Sequence, residues 1–138
     1  MRVILSLRGR QTYMDQEPET IELVTEGTLE RKGESWRIRY EESDLTGMNG
    51  VVTTFTTDPC GRITLTREGP LNSQMVFQEG VFHESLYEME FGALMITVCA
   101  TKVRWELSES GGTLDLSYGI EIENSATGTI DYHLDVRV

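Results

Sequence analysis

Arg67 is the side chain with the most chemistry to offer from the least expected place. It stands in Thr64-Leu65-Thr66-Arg67-Glu68-Gly69, on the parity of Ile63 and Leu65. In an extended run it therefore turns inward or lies at a rim. A buried guanidinium must be paired, because an isolated buried charge is very costly. Glu42, on the parity of Ile38 and Tyr40, is the expected partner. Two roles are open to such an arginine. It can close one end of a fold by bonding loop carbonyls, or anchor a ligand carboxylate or phosphate in its planar fork. Tyr40, Tyr87, Tyr118 and Tyr132 share the inward parity of their own runs, and a buried phenol needs a hydrogen-bond partner. With Trp36 they would line a pocket with apolar walls and polar tips, the usual make-up of a small-molecule site. The expected binding set is Trp36, Tyr40, Glu42, Arg67, Tyr87, Tyr118 and Tyr132. The alternative places the tyrosines at the ends of the fold with their hydroxyls in water.

Other chemistries find less support. His83 and His133 are the only histidines, Cys60 and Cys99 the only cysteines, and none lies near another at metal-ligand spacing. His133 has the parity of a wet face, and His83 reads as a loop or strand-end residue. There is no Gly-x-Ser-x-Gly elbow. Cys60, in a Pro-Cys-Gly turn, has only Arg62 nearby to activate it. Cys99, within an apolar stretch, reads as a small buried hydrophobe. Glu88 and Glu90, and Glu121 and Glu123, would project together from a strand, as in barrel enzymes that hold metal ions against a triphosphate. Those enzymes place a Lys two residues on, where this chain has Gly92 and Ser125, and parity points the carboxylates outward. No catalytic residue, metal site or cofactor is expected.

The elements that must position these side chains are strands. Leu114, Leu116, Tyr118, Ile120 and Ile122 alternate with Asp115, Ser117, Gly119 and Glu121. Ile130, Tyr132, Leu134 and Val136 alternate with Asp131, His133 and Asp135. This is the pattern of strands with one wet face. Arg31-Lys32-Gly33-Glu34, Asp58-Pro59-Cys60-Gly61 and Ser110-Gly111-Gly112 read as turns between such runs. The spacing predicts strands near 2–10, 19–31, 34–42, 50–58, 62–67, 73–79, 81–90, 93–108 with a break near Thr101, 113–123 and 127–138. Phe82, Leu86 and Met89 would also fit a helix face, but strand neighbours and short connections favour a strand. Nine or ten strands in an open sheet would leave two long edges, which closure removes. The expected fold is all-β: one antiparallel meander barrel of about eight to ten strands over residues 1–138.

Composition narrows the partners. The 138 residues are 38% hydrophobic and 25% charged, ordinary for one soluble domain, and the net charge is −11. Nucleic acid and anionic membranes attract clusters of Lys and Arg, yet the chain has two lysines and scattered arginines, so neither is an expected partner. A cationic ligand or basic protein partner is the functional reading of this acidity, and solubility is the bland one. No apolar run reaches membrane-spanning length, and the N-terminal residues are not expected to form a secretory signal. Two reduced thiols suit a cytoplasmic location.

Tyr40-Glu41-Glu42, Thr66-Arg67-Glu68-Gly69, Tyr87-Glu88-Met89-Glu90-Phe91-Gly92, Thr97 to Thr101 and Leu114-Asp115-Leu116-Ser117-Tyr118 together resemble the YwiB-like family, small bacterial proteins found mostly in Firmicutes. The resemblance spans about residues 2–137 and rests on the order of short motifs. It implies a calycin-like (lipocalin- or streptavidin-like) barrel, and it implies no activity, substrate or catalytic residue. In calycins an arginine packs over a tryptophan at the barrel base, so Trp36 or Trp105 would be the platform for Arg67. Three functions are open. The first is non-catalytic binding of a small apolar or amphipathic ligand, which requires a cavity of several hundred Å3. The second is a protein-interaction or homodimer module with a side-chain-filled barrel. The third and least favoured is an enzyme.

Overall fold

The computed structural model describes residues 1–13, 16–123 and 125–138, with backbone alone at 45 and 125–127. The alternating runs become ten strands: β1 (Arg2–Tyr13), β2 (Glu19–Lys32), β3 (Ser35–Glu41), β4 (Val52–Thr57), β5 (Ile63–Glu68), β6 (Leu71–Phe77), β7 (Phe82–Met89), β8 (Gly92–Ser108), β9 (Gly111–Ile122) and β10 (Ser125–Arg137). One 3-10 turn, Asp44–Thr46, lies between β3 and β4. Every strand runs antiparallel to its chain neighbour, and β1 pairs with both β2 and β10, so the meander closes into a barrel.

Most boundaries follow the periodicity, and the exceptions have causes. β1 continues past residue 10 because Gln11, Thr12 and Tyr13 find partners in Ile130, Thr129 and Gly128 of β10. That pairing is non-local, and no alternation of β1 alone announces it. The β1–β2 connection expected at Tyr13 to Pro18 includes Met14 and Asp15, which lie outside the described residues. The break expected near Thr101 is a β-bulge: the register with β9 shifts between Ala100 and Lys102. Strand β7 is confirmed against the helical alternative. It ends at Met89, so Glu90 falls in a turn, and Glu123 likewise sits in a turn with φ of 56°. Neither Glu-x-Glu pair therefore projects from one strand face.

Closure is uneven. β6 and β7 are registered only at Leu71 with Met89 and Asn72 with Glu88. Beyond these pairs the Ser85 hydroxyl donates to the Gln74 carbonyl at 2.5 Å. The connection after β6 is sewn instead to β8: Gly80 N–H donates to the Ala100 carbonyl, and Val103 N–H to the Glu79 carboxylate at 2.9 Å.

The core is the barrel lumen. Leu5, Ile38, Phe55, Leu65, Phe77 and Leu134 are among the side chains at or below 1% exposure, each worth roughly 1.5–3 kcal/mol of burial. Gly27 lets the wall curve. A Cβ there would lie 2.6 Å from the Arg39 carbonyl and 2.6 Å from Leu5 Cδ1, so only glycine fits without displacing backbone.

Candidate functional site

The register lifts a row of inward residues to the same level at one end of the barrel. Tyr40 pairs with Thr53, Thr53 with Arg67, and Arg67 with Ser73. All five tyrosines of the chain, Tyr13, Tyr40, Tyr87, Tyr118 and Tyr132, gather around this row. Three of these rings join Phe55 and Phe77 in an aromatic chain across the lumen. Tyr40 stacks on Phe55 (6.5 Å), Phe55 meets Tyr132 edge-on (6.3 Å), Tyr132 lies 6.4 Å from Tyr118, and Tyr118 4.4 Å from Phe77. Three of these separations fall in the favourable range for ring pairs, about 4.5–7 Å, and the fourth is marginally closer, so the rings form a floor.

Above that floor lies a cavity of about 50 Å3, lined in part by Gly9, Gln11, Tyr40, Glu42, Arg67 and Tyr132 and covered by Thr46 and Met48 from the β3–β4 connection. Among the described residues, the aromatic floor and the aliphatic core occupy the lumen below this cavity. Gly9 helps keep the cavity open, since a Cβ there would sit 3.1 Å from the Tyr132 ring.

Arg67 is 7% exposed. Its Nη2 donates to the Tyr132 hydroxyl across a long 3.4 Å, and its buried Nε has no hydrogen-bond partner. The expected ion pair with Glu42 does not form. Glu42, 5% exposed, instead takes the Thr46 hydroxyl on Oε2 (2.6 Å) and the Thr53 hydroxyl on Oε1 (3.0 Å), and it also accepts from Tyr40. With its acceptors occupied by hydroxyls, the carboxylate latches the covering loop rather than the guanidinium. The tryptophan platform is also corrected. Trp36 opens β3 at the opposite end, and its ring lies 5.6 Å from the Arg31 guanidinium.

Burial pushes the phenols of Tyr40, Tyr87 and Tyr118 up, and the adjacent Glu42 carboxylate adds to the effect at Tyr40 and Tyr87. They are un-ionised at neutral pH and offer Arg67 dipoles rather than charge. The guanidinium is permanently protonated, and among the described residues it has no ion-pair partner.

Of the expected binding set, Tyr40, Glu42, Arg67, Tyr87, Tyr118 and Tyr132 thus gather at one end, and Trp36 does not join them. Tyr13 and Ser73 also belong to the site. Tyr13 keeps the inward parity of Leu7, Gly9 and Gln11, a signal that becomes usable once β1 is known to extend that far. Ser73 is a small polar residue that no hydrophobic pattern marks. Its buried hydroxyl, on the rung beside Arg67, also has no partner.

The remaining chemical candidates are dispersed. Cys60 is exposed in its turn, and Cys99 is half-buried on the outer face of β8 rather than buried in the core. His83 turns inward with an unpartnered Nδ1. His133 lies on the outer wall, with Nδ1 2.6 Å from Asp115 and Nε2 3.3 Å from Asp135. The hydrogen bond to Asp115 raises its pKa above the ordinary imidazole value, and Asp135 adds to this. Among the described residues, no three or more His, Cys, Asp or Glu side chains are placed to hold a metal ion.

Comparison with solved structures finds one with the same fold along the whole chain, described as the crystal structure of ywiB protein from Bacillus subtilis. It matches with a TM-score of 0.82 at 19% identity, over 99% of this chain and 92% of that one. No curated protein matches. The family model described as a domain of unknown function (DUF1934) matches residues 5–134. With nearly the whole barrel spanned by that match, the chain belongs to the DUF1934 family.

Proposed function

We propose that this barrel is a non-catalytic binding protein that receives the anionic head of a small amphipathic molecule at its tyrosine-lined end. The observation that carries the reading is Arg67, a buried guanidinium with no carboxylate partner among the described residues and an unpaired Nε–H, beside the unpaired hydroxyl of Ser73. Uncompensated buried charge costs several kcal/mol, and an anion in the cavity would offset that cost. Arg offers a fork that fits a carboxylate or phosphate. The cavity of about 50 Å3 holds a group the size of a carboxylate or one or two waters, so an apolar tail would lie outside the floor, toward the Met48 cover.

Thermal unfolding in sodium butyrate, inorganic phosphate and sodium chloride at matched ionic strength tests the proposal. A ligand of the native state alone stabilises by RT ln(1 + [L]/Kd). Butyrate or phosphate is expected to raise Tm above the chloride value, and Arg67→Met is expected to abolish the difference. Equal Tm values in all three salts for both proteins would overturn the reading.

A further inference from the structure

Among the described residues, the β7–β8 hairpin gathers the most exposed apolar side chains of the outer wall. On β7 and β8 the outward side chains include Phe82 (71% exposed), Leu86 and Met95, with Leu86 paired to Met95 and Phe82 to Cys99. Phe91 at the tip of the same hairpin is 95% exposed. By contrast, the outer wall of β3 to β5 presents Arg37, Arg39, Thr54, Thr56, Thr64 and Thr66. Exposed large apolar side chains gathered on one hairpin in this way mark an interaction site rather than ordinary surface.

The charges around this face identify what it fits. Glu84 and Glu88 alternate with Phe82 and Leu86 along β7, Glu90 follows in the turn, and Glu121 of β9 pairs with Thr97 of β8. None of these four carboxylates forms an ion pair among the described residues, whereas Arg2, Arg8 and Arg62 are paired to acids elsewhere. No Lys or Arg occurs between Arg67 and Lys102. A second copy of this face would set these glutamates against each other, which costs several kcal/mol. An anionic lipid surface would be repelled for the same reason. We infer that the β7–β8 face docks a basic amphipathic segment of a partner protein, its apolar side on Phe82, Leu86 and Met95 and its Lys or Arg side chains on the surrounding glutamates. This surface is independent of the Arg67 site.

The probe is a fluorescent helix-forming peptide of Leu and Lys with one apolar face, compared with a version carrying Glu in place of Lys, read by anisotropy. The Lys peptide is expected to bind and to weaken in high salt, and the Glu peptide not to bind. Phe82→Ser with Leu86→Ser is expected to weaken the Lys peptide by about tenfold or more, as truncating central anchors does. Glu84→Gln with Glu88→Gln is expected to weaken it without removing the apolar contact. All four side chains point to solvent, and circular dichroism checks that the variants fold. Equal binding by wild type and the Phe82/Leu86 variant would overturn the inference, because attraction to the net negative charge would then suffice. A wild-type dimer in sedimentation velocity that the Phe82/Leu86 variant abolishes would also overturn it, in favour of a second copy.

Discussion

At the scale of single residues, Arg67 and His133 show how surroundings set the energy of a charge. Arg67 has given up water for a long bond to Tyr132 and an unpaired Nε. A buried charge without an ion partner carries an uncompensated desolvation cost, which an apolar side chain of similar size avoids. Arg67→Met in anion-free buffer is therefore expected to unfold at equal or higher urea concentration than wild type, and a loss of stability would mark a structural plug. His133 is the opposite case, half-buried on the outer wall and flanked by Asp115 and Asp135. Its folded pKa is raised above the unfolded value, so the stability it contributes is fully present below about pH 6.5. That stability is lost as pH rises through the folded pKa. The difference in urea midpoint between wild type and His133→Gln is expected to be largest near pH 5.5–6 and to vanish at alkaline pH. A pH-independent difference would assign the residue a packing role. Parity alone placed both side chains on the correct wall, and it could not supply their partners. Glu42 has the right parity to meet Arg67 yet is held by Thr53 of β4 and by Thr46, whose position depends on a loop.

At the scale of elements, the β3–β4 connection is the clearest part of the site that alternation does not describe. It is pinned at both ends: Glu42 N–H donates to the Val51 carbonyl, Val51 N–H to the Met48 carbonyl, and the Thr46 hydroxyl bonds the Glu42 carboxylate. Thr46→Val removes one donor from a buried carboxylate, a loss of about 1–3 kcal/mol. Amides of residues 42–51 are expected to exchange faster in this variant while those of β9 and β10 keep their protection. Uniform acceleration would mean that the loop is part of the global fold rather than a separate cover. The strands themselves were legible because each has one dry face, and strict period-2 patterning follows from that. The turns were legible where glycine supplies positive φ, as at Gly33, Gly61 and Gly111. The extension of β1 was not, since Gln11 and Thr12 gain their place from β10 rather than from their own pattern.

At the scale of the whole molecule, closure followed from the number of strands and the need to satisfy edges, and the ten-strand barrel agrees with that expectation. Whether the lumen is hollow was beyond the reach of parity, because inward Leu, Phe and Tyr side chains suit a packed core and a pocket equally well. The volume is decided by how rings interlock across strands far apart in sequence, as Phe55 of β4 does between Tyr40 and Tyr132. Phe55→Ala is expected to cost about 3–5 kcal/mol and so to lower the urea midpoint sharply. It would also open the floor beneath the Arg67 cavity. An unchanged midpoint would show that the rings above and below collapse to refill the space.

The short ladder between β6 and β7 gives this closed ring a mechanical character of its own. Each other neighbouring pair of strands is registered over at least five residue pairs, and here there are two. On heating, such a wall is expected to part like a clip rather than stretch like a hoop, first at the joint that the Ser85–Gln74 bond spans. Ser73 borders that joint and Arg67 stands one strand away, so an opening there would reach the chamber from the side rather than past Thr46 and Met48.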